Sequence, residues 1–503
     1  MGDAPQPGAG RATTTSYVLT RFVLLRLLGF VYAVAFLVAI DQQDALLGHD
    51  GILPVDRFLA RVLAHAGSTA DAATALPTLF WLDASDGARH AAAWTGFALS
   101  IAVLLGVTNA LVQFAIWALY LSFVQVGQLF YGYGWETQLC ETGFLAIFLC
   151  PVRSIGPFVS APPAVVIWLY RWLIARIMLG AGLIKLRGDP CWRDLTCLVW
   201  HYETQPIPNP LSWWLNAQPR WFHMVGTAFN HLVELGAPFL MLAGRAGRRA
   251  AGLLFVVFQA TLIASGNLSF LNWLTIVPAI ACFDDDWLRR LVPLALRVRV
   301  VPRVAASRSH RAVAIALAAL VAVLSIDPVL NLLSPRQAMN RSFDRLHLVN
   351  TYGAFGSVGR ERDEVILEGT SDPHPGPDTL WRAYEFPCKP GDPARRPCVI
   401  SPYHYRLDWQ LWFAAMSSVG REPWLVRLVV KLLRGDADVK PLLAVDPFPD
   451  APPRFIRAEL WRYRFTKPGD GDPNWWRRTK AGEYLRPVSL DDPELREFLS
   501  QLD

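Results

Sequence analysis

The sequence predicts a polytopic α-helical membrane bundle of about nine spans, followed by a β-sandwich-like carboxy-terminal domain with covering helices. Three observations carry that prediction. Of 503 residues, 53% are hydrophobic and only 18% charged, with 20 tryptophans, which is too apolar for a soluble chain of this length. Apolar runs of membrane-spanning length, roughly 17–25 residues, recur up to residue 333. After about residue 340 the apolar runs become short, alternate, and end in Pro, Gly and Asp, the pattern of strands joined by turns.

Residues 1–16 read as a disordered cytoplasmic amino terminus and 17–333 as the transmembrane domain. The first span, 17–40, is longer than the apolar part of a secretory signal. It runs into Asp41, Gln42, Gln43 and Asp44 rather than a small-residue cleavage site, so it reads as a retained helix. Spans at 91–107, 110–130, 165–183, 221–243 and 312–333 follow, and the shorter segments 135–149, 250–264 and 270–283 pair as hairpins across tight polar turns.

Positive charge orients this set. Arg11, Arg21 and Arg26 flank the first span, Arg153 follows 135–149, and Arg245, Arg248 and Arg249 follow 221–243. Arg289, Arg290, Arg297, Arg299, Arg303, Arg308 and Arg311 crowd the connection before the last span. Nine spans put all of these on one side, which the positive-inside rule makes cytoplasmic. The turn 131–134, the loop 184–220, the turn 265–269 and everything after about residue 334 then lie outside. This topology accounts for the pI of about 9.0 without a nucleic-acid partner, because the arginines are scattered over loops instead of forming a phosphate-tracking stripe.

The carboxy-terminal domain is expected over 340–503. Its stretches EVILEGTSDPHPGPD and FIRAELWRYRFTKPGDGDPN are strand-like, whereas 406–419 and 424–434 carry apolar residues at helical spacing and should cover one side of the sheet. Cys388 and Cys398 bracket the turn-rich KPGDPARRP, and Cys191 and Cys197 bracket WRDLT. Both pairs are candidate disulfides in an oxidising compartment. Cys140, Cys150 and Cys282 lie in or beside spans and read as small apolar packers. No CxxC pair is present, so no metal site is expected, and no cofactor.

Polar residues inside the spans are a stronger signal. His223, Thr227, Asn230, His231 and Glu234 recur at steps of three or four, on one stripe of a helix. Gln138 stands one turn from Glu141, with Glu136 near the outer boundary. Arg171 and Arg176 lie on the inner half of 165–183, with Lys185 at its outer end. Ionisable groups at that depth mark sites by default, yet interhelical hydrogen bonds and a snorkelling lysine explain them as well. A structural polar network is the preferred reading, with Glu141 facing Lys185 or His231 as a sensible buried pair.

Between two apolar segments lies GAGLIKLRGDPCWRDLTCLVWHYETQPIPNP, residues 180–210. Pro206, Pro208 and Pro210 stiffen its end. Trp192, Trp200, Tyr202, Trp213 and Trp214 are amphipathic rings suited to a membrane interface and to gripping an apolar segment of an unfolded client. The loop reads as a rigid outer ledge, with Trp192, Trp200, His201, Tyr202, Glu203, Gln205 and Asn209 as its client- or ligand-binding residues.

GDPCWRDLTCL, HYETQPIPNPLSWW, WFH at Trp221, NHLVELGAPF at Asn230 and SGNLSFLNWLTIVPAIACFDD at Ser265 together resemble the lipase maturation factor family. So do NTYGAFGSVGRERDEVILEGT from Asn350 and PYHYRLDWQLWFAAM from Pro402, and the resemblance covers nearly the whole chain after about residue 120. It implies a chaperone-like membrane protein, not an enzyme, that assists folding of secreted or membrane clients. In eukaryotic members those clients are dimeric lipases matured in the endoplasmic reticulum, with the carboxy-terminal domain lumenal. Abundant arginine, alanine and proline suit a bacterial chain, as does the closing FLSQLD, which lacks a retrieval signal. A bacterial chain would sit in the cytoplasmic membrane with that domain outside. Membrane lipids are the other expected partner, and no oligomeric state follows. In a second class, GAGLIKL before a Trp-containing turn is similar to the lysine-bearing segment of vitamin K-dependent γ-carboxylases, which implies Lys185 as a catalytic base acting on a quinol-like lipid. The folding-factor reading is preferred.

Overall fold

A computed structural model describes residues 16–291 and 307–502. The expected disordered amino terminus up to residue 15, with Arg11, lies outside the described residues, as do Arg297, Arg299 and Arg303. The main helices of the bundle are α1 (Val18–Leu47), then, past the short helices Val55–Ala66 and Thr69–Ala75, α2 (Asp86–Leu105), α3 (Ala110–Val126), α4 (Gly134–Leu149) and α5 (Ala164–Arg187). Then come α6 (Arg220–His231), α7 (Gly244–Ser265), α8 (Leu271–Ala279), α9 (Arg308–Leu324) and α10 (Ile326–Leu333). Local caps start several of them. Asn109 Oδ1 accepts from the Leu111 amide at α3, and Ser85 Oγ from the Ala88 amide at α2. Helix α1 is capped from a distance, where the Asp285 carboxylate accepts the Val18 and Leu19 amides at 2.9 and 2.8 Å.

Among the described residues, 5 helices are long and apolar enough to cross a membrane: α1, α2, α5, α7 and the α9–α10 pair. Helices α3 and α8 are apolar but shorter, so helix length does not support nine spans. The 221–243 segment is not one helix. After α6 the backbone opens into a π turn over Leu232–Gly236, then a short helix Ala237–Leu240. Pro238 supplies the cause, since its ring clashes with the carbonyl four residues earlier, that of Glu234, and the wider turn relieves it.

The connections nevertheless segregate to two ends. At one, Arg21 donates to the carbonyls of Leu149, Pro157 and Ser160, Arg249 pairs with Asp284, and His310 bonds the Phe148 carbonyl. Arg21 and Arg26, read from sequence as flanking the first span, lie inside α1 and donate to backbone carbonyls at this end; Arg26 takes that of Val107. At the other end the turns after α3 and α7 and the loop after α5 meet the carboxy-terminal domain.

That domain holds one four-stranded antiparallel sheet in the order β2-β1-β3-β4, from β1 (Arg362–Thr370), β2 (Arg382–Ala383), β3 (Phe455–Phe465) and β4 (Trp476–Val488). Strands β1 and β3 pair without a break from Arg362↔Tyr463 to Thr370↔Phe455. Helices α11 (Arg406–Ala414) and α12 (Pro423–Arg434) pack on β1 and β3, close to the expected ranges. The expected sandwich narrows to this single sheet for a physical reason. Val365 and Leu367 point into the main core, while the opposite face, with Ile366, Tyr463, Phe465 and Trp476, is covered by Trp213 from the loop after α5. No second sheet is needed to bury it.

Candidate functional site

The glycines of GAGLIKLRG explain how the seam between bundle and domain closes. A Cβ on Gly180 would lie 2.2 Å from the Tyr352 carbonyl oxygen, and one on Gly182 would lie 2.6 Å from Leu235 Cδ2. Bare backbone on α5 therefore admits the segment 350–357 on one side and the π turn on the other. Asp189 N donates to the Gly356 carbonyl and Trp192 Nε1 to that of Phe355, at 2.9 and 2.8 Å. The NTYGAFGS motif is thus a strap laid along α5.

Three buried ion pairs lock this arrangement. Glu141 accepts from Arg176, from the Asn350 amide at 3.0 Å and from the Tyr352 hydroxyl at 2.7 Å, while Arg176 also donates to the Asn350 carbonyl. Glu136 takes Arg406 at 2.8 Å and the Tyr120 hydroxyl, with the guanidinium carbon 3.5 Å above the Tyr131 ring. Lys185 pairs with Glu234 at 2.5 Å, donates to Asn230 Oδ1 at 3.1 Å, and lies 5.0 Å from the Trp192 ring. Glu141 therefore meets Arg176 rather than Lys185 or His231. Distance decides it: nine residues along α5 set Lys185 about 13 Å along the helix from Arg176. Removing one member of such a pair leaves an uncompensated charge and costs about 3–5 kcal/mol.

The stripe on α6 is only partly one unit. Asn230 Nδ2 donates to Glu234 Oε2 at 2.9 Å, but His223 bonds the Gln218 carbonyl and His231 that of Trp192. Thr227 donates to its own helix at the His223 carbonyl. Gln138 reaches across to Thr275 Oγ1 at 3.1 Å.

The ledge residues are buried in the seam. Glu203 accepts the Phe465 amide at 2.8 Å and pairs with Arg464 at 2.9 Å. Gln205 donates to the Ser265 carbonyl, and Asn209 caps the short helix Pro210–Asn216 while donating to the Ala264 carbonyl. Tyr202 and His201 are 7% and 8% exposed, so neither offers a free surface. Burial pushes His201, helped by nearby Lys185, down to about 4. Trp200 is half-buried under Arg360. Rings open to the surroundings near this loop belong instead to Trp214 and Trp221. Cys191 is joined to Cys197 and Cys388 to Cys398; Cys140, Cys150 and Cys282 are free and buried.

Several joints escaped sequence reasoning. Arg362 donates to the carbonyls of Glu203, Gln205 and Pro206, which a proline-rich loop leaves without local partners. Asn267 Oδ1 accepts the Ile400 and Ser401 amides at 2.9 and 3.2 Å, tying the α7–α8 turn to the second disulfide loop. Gln42 binds the His404 carbonyl and the Arg406 amide. The motifs containing Asn267, Asn350 and Arg406 were visible, but not which remote backbone each would serve.

Inside the seam lies a cavity of about 800 Å³. Met178, Ala181, Phe258 and Leu271 give it an apolar wall, Trp409 and Trp412 close it from the domain, and Lys185, Asn230 and Glu234 border it.

A family model described as the lipase maturation factor transmembrane domain matches residues 19–290, and one described as the lipase maturation factor C-terminal domain matches 348–486. The chain is 50% identical to lipase maturation factor 1 of Bos taurus, over 97% of this chain and 91% of that protein. It is 48% identical to the Homo sapiens protein of that name, over 98% and 93%. Lipase maturation factor 2 of Xenopus tropicalis is 30% identical, over 96% and 84%. No solved structure matches.

Proposed function

This chain belongs to the lipase maturation factor family, and from that premise we propose that it is a multi-pass membrane folding factor for lipase-type clients. The observation that carries the reading is the seam. The Arg406–Glu136 pair, the hold of Glu141 and Arg176 on Asn350 and Tyr352, and the Arg362, Glu203 and Asn267 contacts seat the carboxy-terminal domain firmly on the bundle. A domain so fixed would work at the membrane surface, where a translocated client emerges. We place the boundaries at 17–333 and 340–503, with the domain extracytoplasmic, because the short connections that carry Arg153, Arg245, Arg248, Arg249, Arg289 and Arg290 lie at the end remote from it. That is the periplasmic side in a bacterium and the lumen in the endoplasmic reticulum. The spans number about nine if the short helices α3, α4 and α8 and the broken segment after α6 cross as hairpins, which a protein-lined bundle permits.

Within this reading the ledge set, Trp192 to Asn209, builds the joint rather than touching the client. The intramembrane polar residues hold the bundle together. Lys185 is an ion-pair partner of Glu234, which weighs against its serving as a free base. Co-expression with a secreted lipase tests the proposal: the specific activity of the secreted lipase should rise with this chain and stay at background with an Arg406→Met variant present at the same membrane level.

A further inference from the structure

The seam cavity is not a packing defect. Its volume of about 800 Å³ falls in the range of ligand sites, roughly 300–1,000 Å³, whereas packing voids in folded cores rarely exceed a water molecule. At about 30 Å³ per heavy atom it has room for roughly 25 heavy atoms, one acyl chain with a small head and not a two-chain lipid. The wall formed by Met178, Ala181, Phe258 and Leu271 cannot hydrogen-bond water, so an aqueous filling is unfavourable there.

The polar end has a definite character. Lys185 and Glu234 neutralise one another, and His201 beside them is held uncharged. Two of the three Lys185 protons are taken by Asn230 and Glu234, which leaves one for an incoming oxygen. Asn272, which also lines the cavity and is only 3% exposed, donates through Nδ2 to Gln259, and its Oδ1 acceptor has no partner. A buried acceptor without a donor costs about 1–3 kcal/mol, so its persistence points to a missing O–H or N–H.

We propose that this cavity binds a neutral, single-chain membrane lipid with a free hydroxyl, its chain against α5, α7 and α8 and its head between Lys185 and Asn272. The exposed Arg187 and Arg336 border the same cavity, so an anionic head held at its mouth is the competing occupant. The proposal stands independently of the maturation reading, because it concerns binding and not client output.

The test uses the full chain in nanodiscs of zwitterionic two-chain lipid, with radiolabelled 1-monooleoylglycerol as probe. Expected are saturable binding, competition by unlabelled probe, and little competition by an anionic single-chain lysophospholipid. Asn272→Leu, which removes the orphan acceptor, should weaken binding about tenfold, as one hydrogen bond allows. Ala181→Trp, which fills the apolar wall, should abolish saturable binding; if that variant does not fold, Asn272→Leu decides alone. Non-saturable partitioning, equal competition by the lysophospholipid, or unchanged affinity in Asn272→Leu each overturns the proposal.

Discussion

Replacing Arg406 with methionine removes the cation from the most enclosed pair in the seam. Arg406 and Glu136 are both 0% exposed, and the guanidinium also donates to the Phe130 carbonyl and lies over Tyr131. Methionine keeps most of the stem's volume, so the packing loss is small. What remains is a carboxylate bonded only to Tyr120, and breaking a buried pair this way costs about 3–5 kcal/mol. The domain should therefore undock from the bundle roughly 10²–10⁴ times more often, at 1.36 kcal/mol per decade. Limited proteolysis in detergent reads this directly, because cleavage follows the open population when opening is fast. The double variant Glu136→Gln with Arg406→Met removes both charges and should recover at least half of the loss. A single variant as protected as the parent, or a double variant no better than the single, would refute the reasoning.

Acidification should loosen the same seam. His201 binds a proton only near pH 4 in the fold but near 6.5 when unfolded, so its contribution is full above pH 6.5 and fades as pH falls toward 4. The loss is on the order of 3 kcal/mol, and His201→Gln should flatten the dependence of thermal stability over that window. Gly180→Val should detach the strap at 350–357, because its Cβ would sit 2.2 Å from the Tyr352 carbonyl oxygen; faster hydrogen exchange at Tyr352 and Gly353 checks it. Opening the bridge between Cys388 and Cys398, 10 residues apart, should cost about 3 kcal/mol by loop entropy, read from denaturant midpoints of Cys388→Ser with Cys398→Ser. Reporter fusions after Arg249 and at Asp503 should report opposite sides of the membrane, with the first cytoplasmic.

Local chemistry made much of this fold legible. Apolar length marked α1, α2, α5 and the α9–α10 pair, and turn residues marked β1 and β3, because those signals are carried by the residues that form the element. Pro238 was equally visible, yet its effect was missed: a continuous apolar run hides the π turn that the proline imposes on Glu234. The candidate site was legible as composition and not as pairing. Glu136, Glu141, Lys185 and Glu234 stood out as charges in apolar surroundings, but Arg406 and Asn350 reach two of them from the far end of the chain. The aromatic loop suggested an exposed ledge because Trp and Tyr suit both interfaces and cores, and only the strap and sheet packed around it decide between the two.

The central claim is that the seated domain serves client maturation. Its most direct measurement is the specific activity of a secreted lipase in cells that lack their own maturation factor and express this chain, its Arg406→Met variant, or the Glu136→Gln with Arg406→Met double variant at matched membrane levels. The account predicts high activity with the parent, background with the single variant, and substantial recovery with the double. Lipase activity that is the same with and without the parent chain would contradict it.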